Sequence, residues 1–281
     1  MNSTRRPPGR ACGEEPTPVP DAVGNGSDQV DERITIPQID AAVAADLPWL
    51  TTAQMVEVDR AMVDDAGITL LQMMELAGRH LAVLARARFL MSAQRGRVVV
   101  LAGSGGNGGG ALVAARRLAS WGFDVRVVLS AAEASFAGVP RHQLDIACRL
   151  GIAVQASGEP PSGSATLIID GLIGYALRGA PRGRASELIA WADASPAPVL
   201  ALDVPSGLDA TTGRVSGPVI HAVATLTLAL PKRGLLPAAE IDPVGELYLA
   251  DIGVPSALYR RAPLALVVPN VFAEADVVRL R

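Results

Sequence analysis

Apolar residues recur at three- and four-residue spacing through Leu70, Met74, Ala77, Leu81 and Leu84, which predicts a helix with one core-facing stripe. Thr69, followed three residues on by Gln72, is a capping-box signature at its start. An earlier helix is predicted from Ala53 to Asp65, capped by Thr52 and broken by Gly67. The pair Met73–Met74 reads as core filling. Beyond residue 96 the pattern changes to short continuous apolar runs. Strands are predicted at 97–102, 124–129, 152–155, 166–170, 198–203, 223–229 and 246–251, with helices at about 110–121, 140–150 and 184–194. Such an alternation specifies an α/β fold, a parallel sheet covered by helices on both faces. The last two strands lack a clear helix between them, so a mixed far edge is expected. Residues 1–45 are rich in Pro, Gly, Asp and Thr with no sustained period. They read as a flexible, dispensable tail, which leaves 46–281 as one folded unit.

The first of these strands runs into Gly103-Ser-Gly-Gly-Asn-Gly-Gly-Gly110 with a helix behind it. Glycines let a backbone turn tightly and approach a ligand, and a helix N-terminus offers free N–H groups to an anion. The spacing fits a dinucleotide fingerprint. The acid that such a site places after its second strand is missing, because Val125–Leu129 ends in Ser130-Ala-Ala and Glu133 comes too late. A hydride-transferring dehydrogenase is therefore disfavoured. Two later strands end in acids, Asp170 and Asp203. With a strand order of 3-2-1-4-5, their loops and the glycine loop meet on one rim, bringing Asn107, Asp170, Asp203 and Ser206 into one cleft. Oxygen donors of this kind suit a hard cation or acid–base chemistry. Acids at strand ends also serve as turn and helix caps.

The formal charge is −3 over 281 residues, so no nucleic-acid footprint or basic membrane patch is indicated. Two distant cysteines, Cys12 and Cys148, imply no disulfide framework and fit a cytoplasmic location. The scattered histidines His80, His142 and His221 make no zinc site. Of 25 basic residues, all but Lys232 are arginine, which draws attention to a compact ammonium with a movable pKa.

These segments resemble the NAD(P)H-hydrate epimerases, or YjeF N-terminal domains, from about Thr52 to Pro255. The likeness is carried, in order, by Met74-Glu-Leu-Ala-Gly78, Gly103–Leu118, Ile169-Asp-Gly-Leu-Ile-Gly174, Leu202-Asp-Val-Pro-Ser-Gly-Leu-Asp209, Thr225–Gly234 and Leu249–Pro255. The resemblance implies a Rossmann-like three-layer sandwich and interconversion of the R and S forms of hydrated NADH and NADPH. It implies potassium held by Asn107, Asp170 and Ser206. It also implies hydrate binding by Gly106, Asn107, Gly108, Gly109 and Gly110, by Gly174, Tyr175, Ala176, Leu177, Arg178, Gly179 and Ala180, and by Asp203. A homodimer and a separate ADP- or ATP-dependent dehydratase are the expected partners. In the chemistry that this implies, the hydroxyl at C6 leaves and returns on the other face. Asp203 is expected to protonate it and then activate water, with Lys232 a second catalytic candidate or a phosphate contact. The chain departs from the family pattern at Gly106, Gly110, Leu76 and Val223, each of which replaces a polar residue. Those losses sustain an alternative, a catalytically impaired nucleotide-binding paralogue or scaffold, although retention of both acids favours the enzyme.

Overall fold

The computed structural model describes residues 35–91, 96–156, 158, 164–236 and 242–281. Its centre is an eight-stranded sheet. In chain order the strands are β1 (Arg97–Ala102), β2 (Asp124–Leu129), β3 (Ala153–Gln155), β4 (Leu167–Gly171), β5 (Val199–Leu202), β6 (Ala224–Leu228), β7 (Glu246–Ala250) and β8 (Val277–Arg279). Their spatial order is β3-β2-β1-β4-β5-β6-β7-β8. All neighbours are parallel except β7 and β8. The far edge is mixed, but the antiparallel member is β8, a short strand that the apolar pattern did not single out. The two strands without an intervening helix, β6 and β7, are parallel.

The helices are α1 (Ala41–Ala45), α2 (Thr52–Arg60), α3 (Leu70–Ala85), α4 (Gly106–Ser120), α5 (Gly138–Arg149), α6 (Gly183–Asp193) and α7 (Ser256–Arg260). Strand side chains alternate between faces. Val98, Val100 and Ala102 of β1 pack with Leu81 and Leu84 of α3, Leu112 and Leu118 of α4, and Leu144 of α5. Val99 and Leu101 pack with Leu188 and Ile189 of α6 on the opposite face. Met55 and Val58 of α2, and Leu258 and Tyr259 of α7, cover Leu249 and Val278 of β7 and β8. The result is three layers, helix, sheet and helix. No helix among the described residues is long and apolar enough to cross a membrane.

Several local expectations shift. Thr51, not Thr52, caps α2, and it does so through a capping box with Gln54. Thr69 and Gln72 form the box at α3 as expected. Leu70, assigned to the core stripe, is 40% exposed. The tail boundary at residue 45 falls inside a docked segment. Gln38 bridges Arg279, Ile39 donates from its N–H to the Arg279 carbonyl at 2.9 Å, and Ile39 itself is buried. An extra edge for β8 is the physical reason, and residues 1–34 lie outside the described residues. Cys12, one of the two cysteines, lies outside the described residues.

Candidate active site

The cleft forms where the parallel strands end, and backbone crowding there explains the glycines. A Cβ on Gly108 would stand 1.7 Å from the Gly103 carbonyl oxygen, and one on Gly103 would stand 1.9 Å from that of Leu172. Glycine is a poor helix former, yet α4 begins at Gly106, four residues before its predicted start. Close approach of the chain, rather than propensity, decides this. The loop proper is therefore only Gly103–Gly105. Asn107 lies in the first turn of α4, and exposed Gly105 and Gly106 leave the helix N-terminus open.

β5 and β6 end alike. Asp203 has φ +67°, and the Val204 N–H donates to the Leu202 carbonyl at 2.9 Å. Ala229 has φ +62°, and the Leu230 N–H donates to the Leu228 carbonyl at 2.7 Å. Both are γ-turns of the rare positive-φ kind. Such strain concentrates at functional sites. Here the turns carry Asp203 and Lys232 toward one another. The Lys232 ammonium is fully buried and donates to Asp203 Oδ1 at 2.5 Å, to the Leu228 carbonyl at 2.7 Å and to Thr227 Oγ1 at 3.3 Å. Those contacts use all three of its hydrogens. Asp203 Oδ2 accepts the Tyr175 backbone N–H at 3.1 Å.

A cavity of about 290 Å³ opens beside this pair. Its polar margin is Gly105, Gly106, Asn107, Gly110, Gly174, Tyr175, Asp203, Lys232 and Asp59. Met55, Leu70, Met73 and Met74 form an apolar wall, so the methionine pair is cavity lining as well as core. A Cβ on Gly174 would lie 3.2 Å from both Asn107 Cγ and Asp203 Oδ2, so a side chain there would press on both groups. Not every expected residue reaches the cavity. Gly108 and Gly109 are buried in α4, and Leu177, Arg178, Gly179 and Ala180 lie beyond its edge. Asp170 and Ser206 stand behind it, fully buried. Asp170 Oδ1 accepts Ser206 Oγ–H at 2.7 Å and the Leu172 N–H at 3.1 Å, and Oδ2 accepts the Ser206 N–H at 2.8 Å. Burial outweighs these bonds and pushes the Asp170 carboxyl up to about 6. The Asn107 amide nitrogen is buried without a hydrogen-bond partner. Lys232 lines the cavity but is fully buried, with its hydrogens taken up by groups of the protein.

Asp59 was not anticipated. The signal was present, since Met55, Val58, Asp59 and Met62 fall at helical spacing, so Asp59 is an acid on a buried stripe. Its Oδ2 accepts the Tyr175 hydroxyl at 2.5 Å. Burial raises the Asp59 carboxyl above the usual range, against the opposing pull of the Tyr175 bond and of Lys232.

Removing one member of a buried ion pair strands the other. Lys232→Met is expected to lower unfolding free energy by about 3–5 kcal/mol at neutral pH. The double variant Lys232→Met/Asp203→Asn should recover most of the loss. Urea unfolding at pH 7 checks both, and a single variant as stable as the parent would mean that Asp203 finds another partner.

The family described as YjeF-related protein N-terminus matches residues 70–234. The chain is 44% identical to an NAD(P)H-hydrate epimerase of Dehalogenimonas lykanthroporepellens over 215 residues, 76% of this chain and 86% of that one. It is 33% identical to a bifunctional NAD(P)H-hydrate repair enzyme Nnr of Moorella thermoacetica, covering 74% of this chain and 41% of that one. The crystal structure of yeast ynu0 superposes with a TM-score of 0.72 at 21% identity, covering 83% of this chain and all of the yeast one. Matching more than half of the described fold, and sharing that degree of identity with a relative it nearly spans, the chain belongs to the YjeF-related N-terminus family.

Proposed function

We propose that this protein interconverts the R and S forms of hydrated NADH and NADPH. The observation that carries this reading is the buried Asp203–Lys232 pair beside a cavity with one apolar wall and one helix N-terminus. The ligand has matching parts. Its phosphates suit the N–H groups at the start of α4, and its hydrated nicotinamide ring suits the wall of Met55, Met73 and Met74.

Inversion at C6 proceeds through loss of the hydroxyl, pushed out by the ring nitrogen, and addition of water to the opposite face of the resulting iminium. Asp203 contributes negative charge beside that cation. Its carboxylate oxygens, each with a further lone pair, accept the proton of the incoming water. Lys232 acts through Asp203, fixing its orientation, and has no hydrogen left for the substrate.

A potassium ion belongs to this reading. Asp170 is a buried carboxylate with no cationic side chain bonded to it among the described residues. The unpartnered amide nitrogen of Asn107 exchanges places with the amide oxygen on a flip of the side chain. Asp170, Ser206 and Asn107 thus fit a weakly held monovalent ion, and no acidic, histidine or cysteine trio suited to another metal occurs among the described residues. When bound, the ion offsets the Asp170 charge and that of nearby phosphates. The product would pass to an ADP- or ATP-dependent dehydratase, in keeping with the bifunctional repair enzyme among the relatives, and we place the reaction in the cytoplasm. A homodimer is also part of the proposal.

Asp203→Asn keeps the size of the side chain but takes up no proton. Epimerisation of hydrated NADH, followed as isomer ratio above the spontaneous rate, is expected to fall ~10²–10⁴-fold while binding persists. Parent protein no faster than buffer would instead favour a nucleotide-binding paralogue, with the polar losses at Gly106, Gly110 and Leu76 as its cause.

In a thermal-shift titration, potassium is expected to raise the melting temperature relative to a bulky organic cation. Asp170→Ala should abolish the difference. Equal curves for the parent in both salts would remove the ion from the proposal.

A further inference from the structure

The Asp203–Lys232 pair does not account for one proton. A hydroxyl leaves readily only as water, yet Asp203 accepts at both oxygens and Lys232 has committed its three hydrogens. A second carboxyl borders the same cavity. Asp59 on α2 is held at Oδ2 by the Tyr175 hydroxyl, while Oδ1 accepts no hydrogen bond among the described residues. Tyr175 holds both acids, because its backbone N–H is bonded to Asp203 and its hydroxyl to Asp59. The helix is fixed where this requires. Leu50, directly before the Thr51 cap, bridges Lys232, and Thr52 Oγ1 donates to the Tyr175 carbonyl at 3.3 Å. The neighbouring Arg60 turns outward and is occupied by Glu57 and Asp65.

We propose that Asp59 is the general acid of the epimerisation, delivering the proton with which the C6 hydroxyl departs. This rests on the epimerase reading and divides the acid–base work between two carboxyls. In the forward sense the Asp59 carboxyl gives its proton to the hydroxyl, the C6–O bond breaks with its electrons on oxygen, and water leaves. The ring nitrogen lone pair forms the iminium. A water molecule then adds at the opposite face, its oxygen forming the new C6–O bond and its proton passing to Asp203. Asp59 ends ionised and Asp203 protonated, and exchange with solvent restores the starting state. The reverse reaction uses the same groups in exchanged roles.

The groups that face Asp59 are the hydroxyls of Tyr175 and Tyr259, the Lys232 ammonium and the Asp203 carboxylate. Burial, with Asp203 adding repulsion, favours the protonated carboxyl and prevails over Tyr175 and Lys232. An acid must carry its proton to act, so kcat/KM for epimerisation, in either direction, should decline as pH rises through the elevated Asp59 value.

The test is kcat/KM for hydrated NADH against pH in the parent, Asp59→Asn and Tyr175→Phe, with KM and melting temperature measured alongside. Asp59→Asn is expected to lose ~10²-fold in kcat with little change in KM, and to lose the alkaline decline. Tyr175→Phe is expected to lose about tenfold. It should keep the decline and move it to higher pH, because the bond that favours ionised Asp59 is gone. Asp59→Ala should regain rate on addition of formate, which a purely structural role does not provide. Asp59→Asn with the parent rate overturns the proposal alone. So does an alkaline decline that survives in Asp59→Asn, or an Asp59→Ala variant that formate leaves inert. A parent no faster than buffer overturns the epimerase reading and this inference together.

Discussion

One buried ion pair organises the working end of this fold. The Lys232 ammonium, without solvent contact, is neutralised by Asp203 and satisfied by the Leu228 carbonyl and Thr227. Burying either charge alone is costly, so the two must arrive together. They do so because adjacent parallel strands, β5 and β6, finish in the same positive-φ γ-turn. The backbone of Lys232 extends the constraint. Leu50 donates from its N–H to the Pro231 carbonyl at 2.8 Å and accepts from the Arg233 N–H at 2.8 Å. The start of α2, and with it Asp59, is thereby tied to the residue that fixes Asp203.

A second constraint acts from the other wall. Two glycine positions, Gly103 and Gly108, admit no side chain because backbone passes against them, and at Gly174 a Cβ would crowd Asn107 and Asp203 at 3.2 Å. The loop after β4 is thus pressed onto the first turn of α4, and Tyr175 falls between the two acids. The Asp170–Ser206 network lies beneath that loop and holds it, with Ser206 Oγ also accepting the Ile173 N–H at 2.9 Å. Binding surface and chemical groups are in this way set by the same few backbone contacts.

The core of the fold was legible because its strands are continuous apolar runs. All seven strands read from the pattern exist, and the order β3-β2-β1-β4-β5 is the one on which the shared cleft was conditional. What escaped was short or held by tertiary pairing. β8 and α1 have too few residues to show a period, and the Ile39 segment is ordered by pairing with Arg279. The helical turn at Gly106 was masked by glycine's poor propensity, which crowding overrides. Within the site, strand-end acids and the lone lysine were visible as residues, whereas their direct pairing was not. Asp203 and Lys232 lie 29 positions apart and meet only through two unusual turns. Asp59 was hidden by the ordinary look of an acid on a helix, since only burial of its neighbours Met55 and Val58 distinguishes it.

The chemistry stands or falls on whether the C6 hydroxyl departs. Epimerisation in water enriched in oxygen-18, with hydrated NADH carrying ordinary oxygen and the spontaneous reaction subtracted, reads this directly by mass spectrometry of the product. Each enzymic inversion is expected to place one oxygen-18 atom at C6, at the enrichment of the solvent. Inverted product that retains its original oxygen would contradict departure and return of water, and would point to opening of the ring with the oxygen still attached.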